Sequence, residues 1–283
     1  MRKQNYLNNK DMLKEIHKSK LSYCYVLDDE YSRFDVIVES IDDIKNSDVI
    51  QTAKENRARQ LSNKAYEEAY FTWYDNETRK QSQKPKQINY KVDPETIDEK
   101  DLIFRVMTFD HIPLEPGRKN KPKTEADKHA KCNFPPFKHY AYIQDELKEC
   151  LRSHWEGGLE NGKFNTQHGA ITNNLAKMFI KLCERYSMRS NWRGYTYNEE
   201  MRGTALLQLS QIGLQFDESK SQNPFAYYTA AITNSFTRVL NIEKKNQNIR
   251  DDILEQNGLN PSWTRQFNNS PDAKKLQPQL AKK

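Results

Sequence analysis

The chain has 283 residues, enough for one or two domains, with 36% hydrophobic and 30% charged residues. No run of eighteen apolar residues occurs and the mean hydropathy is −1.01, which argues against a helical membrane span and for a polar chain, part of it extended without a partner. Lys plus Arg number 45 against 39 Asp plus Glu, a net charge of +6 that permits a polyanionic partner without requiring one.

Asn8 to Ile16 reads as a short capped helix with Met12, Leu13 and Ile16 on one side. Leu21–Leu27 and Phe34–Val38 read as two strands separated by the polar break Asp28-Asp29-Glu30. Ser47 to about Trp73 predicts a long helix whose inner face is Ile50, Ala53, Leu61, Ala65 and Ala69. Strand-like pieces at Ile88–Val92 and Leu102–Phe109 follow, so residues 1–110 read as α+β. Pro113 to Pro136 is proline-rich and basic, with Arg118, Lys119, Lys121, Lys123, Lys128 and Lys131, and reads as an extended loop. Its cations suit nucleic acid or an acidic protein surface; a solvated linker is the plainer alternative.

The C-terminal half reads as mostly α. Asp145–Trp155 predicts a connecting helix, and Gly157-Gly158 and Asn161-Gly162 mark a turn-rich break. Thr172–Tyr186 carries the stripe Leu175, Met178, Phe179, Leu182 and Tyr186. Asn198–Leu214 predicts another helix, with Asn198 as cap, Glu199 and Glu200 at the positive end of its dipole, and Met201, Ala205, Leu206, Leu209 and Ile212 inward. A weaker helix is expected over Asn246–Gln256, then a polar, mobile tail over 258–283.

Between these lies the segment with the most chemistry. Asn223 suits an N-cap and Pro224 the first helical position. Phe225, Tyr228, Ile232, Phe236, Val239 and Leu240 form an apolar stripe. The other side carries Tyr227, Thr233, Asn234, Thr237, Arg238, Asn241 and Lys245, which suit stacking, base edges and phosphates. An ordinary amphipathic helix with a solvated polar face explains the same pattern.

Catalytic and metal chemistry find little support. Cys24, Cys132, Cys150 and Cys183 are far apart and make no C-x-x-C pair, which argues against a zinc site or disulfide framework; without a signal-peptide pattern, a reducing cytoplasm is expected. His111, His129, His139, His154 and His168 have irregular spacing, and Gly157-Gly158 lacks the Lys-Ser/Thr of a phosphate loop. No cofactor, metal or enzymatic activity is therefore expected.

A string of motifs in order resembles region two of bacterial sigma factors, in the version carried by late sigma factors of T-even-type bacteriophages. It runs Leu175-Ala176-Lys177-Met178-Phe179 to Tyr186, Asn191-Trp192-Arg193-Gly194-Tyr195-Thr196, Glu200-Met201, Phe216-Asp217-Glu218-Ser219-Lys220, and Asn223-Pro224-Phe225-Ala226-Tyr227 through Glu243-Lys244-Lys245. The opening Asn5 to Leu13 resembles the family's N-terminus, so the likeness covers 170–256 and the first few residues. It implies a sigma-like helical domain over 166–257 joined by an N-terminal helix (1–20), with an α+β insertion at 21–112 and a basic loop and connecting helix at 113–165. It also implies a non-catalytic subunit that directs host core RNA polymerase to an AT-rich late promoter in the cytoplasm of an infected bacterium.

On this resemblance, Tyr227, Tyr228, Thr233, Asn234, Thr237, Arg238, Asn241, Lys244 and Lys245 would contact promoter DNA. Glu200, Met201, Arg202, Gln208, Gln211 and Gln215 would meet the clamp helices of the largest polymerase subunit. Arg118, Lys119, Lys121 and Lys123 are candidates for an accessory DNA contact, and a phage co-activator is a further partner the resemblance allows. There are departures: Ala231 and Ile232 stand where primary sigma factors carry a tryptophan wedge, and Thr204-Ala205 stands where the docking helix has an acidic-Gly pair. The basic ending Gln277–Lys283 lacks the family's acidic-hydrophobic clamp-binding character. A sequence-independent single-strand binder and a phage structural or packaging component are the competing classes.

Overall fold

The computed structural model describes residues 7–76, 80–115, 124–167 and 169–269. The chain divides into two units, Met1–Ala176 with Ile212–Pro224, and Lys177–Gln211 with Phe225–Lys283. The tail from 270 lies outside the described residues.

In the first unit, α1 (Asn9–Leu21) starts behind Asn8, whose side chain accepts the Asp11 N–H at 2.7 Å. Strands β1 (Cys24–Val26), β2 (Val36–Val38), β3 (Ile103–Met107), β4 (Phe137–Ile143) and β5 (Glu146–Ser153) form one sheet in the order β1-β5-β4-β3-β2. Its pairs are antiparallel except β2 with β3, which run parallel and are joined through α2 (Ser47–Asp75). Alternation along the strands divides two faces. Val38, Phe104 and Val106 pack with Ile44, Ala53, Ala58, Ile97 and Leu102 beneath α2, while Ile103, Ala141 and Cys150 pack with Tyr31, Phe34 and Ile143. Each fully buried large aliphatic or aromatic side chain contributes about 1.5–3 kcal/mol. A small ribbon of β6 (Trp155–Glu156) and β7 (Lys163–Phe164) follows.

The sheet corrects the sequence expectation in two places. Asp145–Trp155 is not a connecting helix: Glu146–Ser153 is β5, paired with β4. Gln144 and Asp145 both have positive φ, 55° and 63°, which makes the two-residue type I′ turn that matches the twist of a hairpin. Leu147, Cys150 and Leu151 imitate a helical spacing, and cross-strand pairing overrides it. Ile88–Val92 is not a strand; Gln87–Tyr90 is a 3-10 turn and the Val92 N–H is held by Ser62 Oγ at 2.9 Å, leaving no ladder to join. β1 and β2 do not pair with each other but sit at opposite edges.

The segments 7–20, 169–176 and 212–224 group with the sheet. The physical tie is a buried ammonium. Lys20 Nζ donates to Phe216 O at 2.7 Å and to Glu218 Oε2 at 2.5 Å. Beside it Arg105 is fully buried between the rings of Phe34 and Phe137, 3.7 and 3.9 Å from their centroids. Its Nε donates to His139 Nε2 at 2.9 Å while His139 Nδ1 meets Tyr31 O at 2.8 Å, an arrangement only the neutral Nδ1–H tautomer satisfies.

The second unit is helical. It contains most of α3 (Asn173–Ser187) and α4 (Asn198–Ile212), then α5 (Pro224–Gln256) and α6 (Trp263–Asn269). Met178, Phe179, Leu182 and Tyr186 of α3 are buried as their spacing predicts, with Met201, Ala205 and Leu209 of α4. Tyr228, Ile232, Phe236 and Val239 are buried from α5. Phe179 meets Tyr228 edge-on at 4.9 Å, and Tyr186 and Trp192 meet Phe236 edge-on at 5.4 and 5.3 Å, the geometry that ring quadrupoles favour. Asn198 opens α4, and its amide donates to the carbonyls of Ser187 and Trp192, pinning the preceding loop.

α5 is one helix of 33 residues, so the expected separate helix at 246–256 is its continuation. No Gly or Pro interrupts it between 225 and 257. Gly258, at φ +70°, ends it: Leu259 N donates to Leu254 O and Gly258 N to Glu255 O, the Schellman pattern. α6 is tied back by Ser262, whose N and Oγ both donate to Asp251, and by Arg265 paired with Asp252 and Glu255. Among the described residues no helix is long and apolar enough to cross a membrane.

Candidate nucleic-acid interface

α5 turns a continuous polar stripe outward. Tyr227, Ala231, Asn234, Arg238, Asn241 and Lys245 follow at alternating four- and three-residue steps, so they share one face. At 1.5 Å per residue the stripe is about 27 Å long. Asn234, Thr237, Arg238, Asn241, Lys244 and Lys245 are exposed, and Arg238, Lys244 and Lys245 enter no ion pair among the described residues. Tyr227 is half-buried at the N-terminal end, its ring edge-on to Tyr228 at 5.3 Å, and burial raises its phenol above the ordinary value. The face thus offers a ring edge, then amides, then cations.

Four residues of the expected DNA set are off the stripe: Thr237 and Lys244 are exposed on its flank, and Tyr228 and Thr233 are not exposed. Tyr228 is fully buried, committed to Phe179, and has no surface for a base. Thr233 lies beside the stripe, and its hydroxyl is spent on Thr229 O at 2.8 Å and Tyr186 Oη at 2.5 Å. Ile232 is fully buried, so the second position of the family's wedge does not face outward, while Ala231 is half-exposed.

The expected polymerase set divides as well. Glu200 and Gln211 are exposed and lie on one face of α4, with Gln208 half-buried at its edge. Met201 is fully buried and belongs to the core. Arg202 points to the flank, where it pairs with Glu199 at 2.7 Å and reaches Glu184 of α3 at 3.8 Å. Gln215 is exposed but belongs to the first unit. Sequence reasoning missed Leu207, which is 61% exposed on the face of Glu200 and Gln211; the doublet Leu206-Leu207 was the available signal, since both cannot face one core. Arg118, Lys119, Lys121 and Lys123 lie outside the described residues, as does His168.

His111, His139 and His154 are held neutral by burial, His111 down to about 4 and His154 to about 3. Burial pushes the thiols of Cys24 and Cys150 up to about 12 and those of Cys132 and Cys183 to about 11, so all four stay protonated at neutral pH. Among the described residues no group of three or more His, Cys, Asp or Glu side chains is placed to hold a metal ion. No protein family, curated protein or solved structure matches the chain.

Proposed function

We propose that this chain is a promoter-specificity subunit of the phage late sigma type, which binds host core RNA polymerase and helps open an AT-rich late promoter in the infected cell. The single observation that carries the reading is the α5 stripe, where an aromatic edge, two amides and cations without an ion pair among the described residues follow one another on one face. The ordered motif resemblance over 170–256 supports it. Opening a promoter makes no bond; it shifts the duplex–bubble equilibrium through tighter binding of the open form. Tyr227 would stack on an unpaired base, Asn234 and Asn241 would meet base edges, and Arg238, Lys244 and Lys245 would hold phosphates. Stacking of a base on an aromatic ring is worth about 1–3 kcal/mol. The exposed α4 face of Glu200, Leu207 and Gln211 would dock on the polymerase.

One observation favours a second reading, a sequence-independent single-strand binder: the small Ala231 and the buried Ile232 stand at the wedge. Co-purification separates the two. Tagged protein mixed with bacterial core polymerase is expected to retain it, and Leu207→Asp to lose it with folding intact. Failure of the wild-type protein to retain core polymerase, while binding single strands, would support the second reading.

A further inference from the structure

We infer that the first unit carries its own sequence-independent binding surface for the DNA backbone, formed by Lys80, Lys84, Lys86 and Lys91 laid along α2. The segment 80–92 runs back antiparallel along one helix face. Lys80 O accepts from Trp73 Nε1 at 3.0 Å, Lys84 Nζ lies 5.9 Å from the Tyr70 ring, and Tyr90 packs on Tyr66 at 6.2 Å. Farther along, Gln87 Nε2 donates to Asn63 at 3.2 Å and Val92 N to Ser62 at 2.9 Å. These contacts span Ser62 to Trp73, about 17 Å of helix.

The charge on this strip is one-sided. From Lys80 to Lys91 there are four lysines and no acid. All four are exposed, and none enters an ion pair among the described residues. Some exposed lysines of the same unit are paired, Lys10 with Glu67, Lys100 with Asp145, Lys128 with Glu125 and Lys148 with Glu146, while Lys14, Lys45, Lys64, Lys131 and Lys163 are not, among the described residues; the strip differs in gathering four within twelve residues with no acid between them. A hollow of about 440 Å³ opens between the strip and α2, where Arg59, also exposed and without an ion pair among the described residues, joins Lys91 beside Ser62, Asn63 and Gln87, with Glu55 the one acid on its rim.

The aromatic groups decide which part of a nucleic acid fits. Tyr66, Tyr70, Trp73 and Tyr74 are half-buried and packed on one another at 5.6–6.3 Å, so they build the platform and leave little ring face for bases. Apart from the exposed Ile88, what is presented is ammonium, guanidinium and amide, the chemistry that meets phosphates and carries no sequence information. Duplex DNA, with a charge every ~1.7 Å of axis, offers several phosphates to a strip of this length.

The test uses the full chain without polymerase, so it stands or fails separately from the promoter reading. Binding to two fluorescent duplexes of unrelated sequence is followed by anisotropy over a range of salt. The wild-type protein is expected to bind both alike. The K80Q/K84Q/K86Q/K91Q variant is expected to bind roughly tenfold or more weakly, with the log-affinity against log-salt slope reduced by about 3–4, one phosphate per lysine. A control with the same loss of charge, K10Q/K100Q/K128Q/K148Q, is expected to keep most of the affinity. Unchanged affinity and slope in the strip variant, with an unaltered circular dichroism spectrum, would overturn the inference. So would an equal loss in the control, which would reduce the effect to net charge, or a strip-dependent preference for one of the two sequences.

Discussion

Buried charges and neutral histidines set the energetics of the first unit at the residue scale. Glu218 is held far below the usual carboxylate range despite its burial, by the His17 ring 3.4 Å away and the nearby charges of Lys20 and Arg105. Burial lowers Lys20, and Glu218 opposes that shift. Removing one partner leaves the other charge buried and alone. Glu218→Gln is therefore expected to destabilise this unit by about 3–5 kcal/mol in denaturant unfolding of the full chain, and Lys20→Met/Glu218→Gln to lose less than Glu218→Gln alone. The histidines give the pH dependence. Their folded pKa values lie below the unfolded value of 6.5, so their contribution is complete above about pH 6.5 and is lost as pH falls toward 4. Each removes about 1 kcal/mol per pH unit in that window. Melting temperature is expected to fall from pH 7 to pH 5, and His154→Asn to flatten that fall, Asn being tolerant of the φ of +53° there. A pH-independent melting temperature would contradict the burial of these rings.

The elements differ in how much of them sequence alone made legible. α3 and α5 were readable because their apolar residues recur every three or four positions over many turns, and Met178, Phe179, Ile232 and Phe236 are buried as that spacing requires. The β4–β5 hairpin was not readable: its type I′ turn is Gln144-Asp145, without the glycine that ordinarily signals one. Strand order was hidden because β1 and β2 have three residues each and pair with strands far along the chain. For the candidate site, the polar face of α5 was legible as a whole, but not that Thr233 is consumed by Tyr186, a contact 47 residues away. The surviving stripe makes an element-scale prediction. Tyr227→Ala and Arg238→Ala are each expected to reduce promoter opening about tenfold, read as reactivity of unpaired thymines, with core polymerase binding retained. An equal loss of polymerase binding would show that the α5 face serves the polymerase instead.

For the whole molecule, the sigma-like resemblance and the two compact units cut across each other. The motif Phe216-Asp217-Glu218 belongs with the sheet through Lys20, while the helices before and after it build the other unit. Deleting 21–165 is therefore expected to strip Lys20–Glu218 of its surroundings, including buried Arg105 and Phe137. The function is tested most directly on the intact chain, by run-off transcription with bacterial core RNA polymerase on templates bearing a short AT-rich element. The expected result is a discrete transcript from that element that requires the protein and weakens with Arg238→Ala. A transcript pattern identical with and without the protein, from a polymerase shown to be active with another sigma factor, would contradict the central claim.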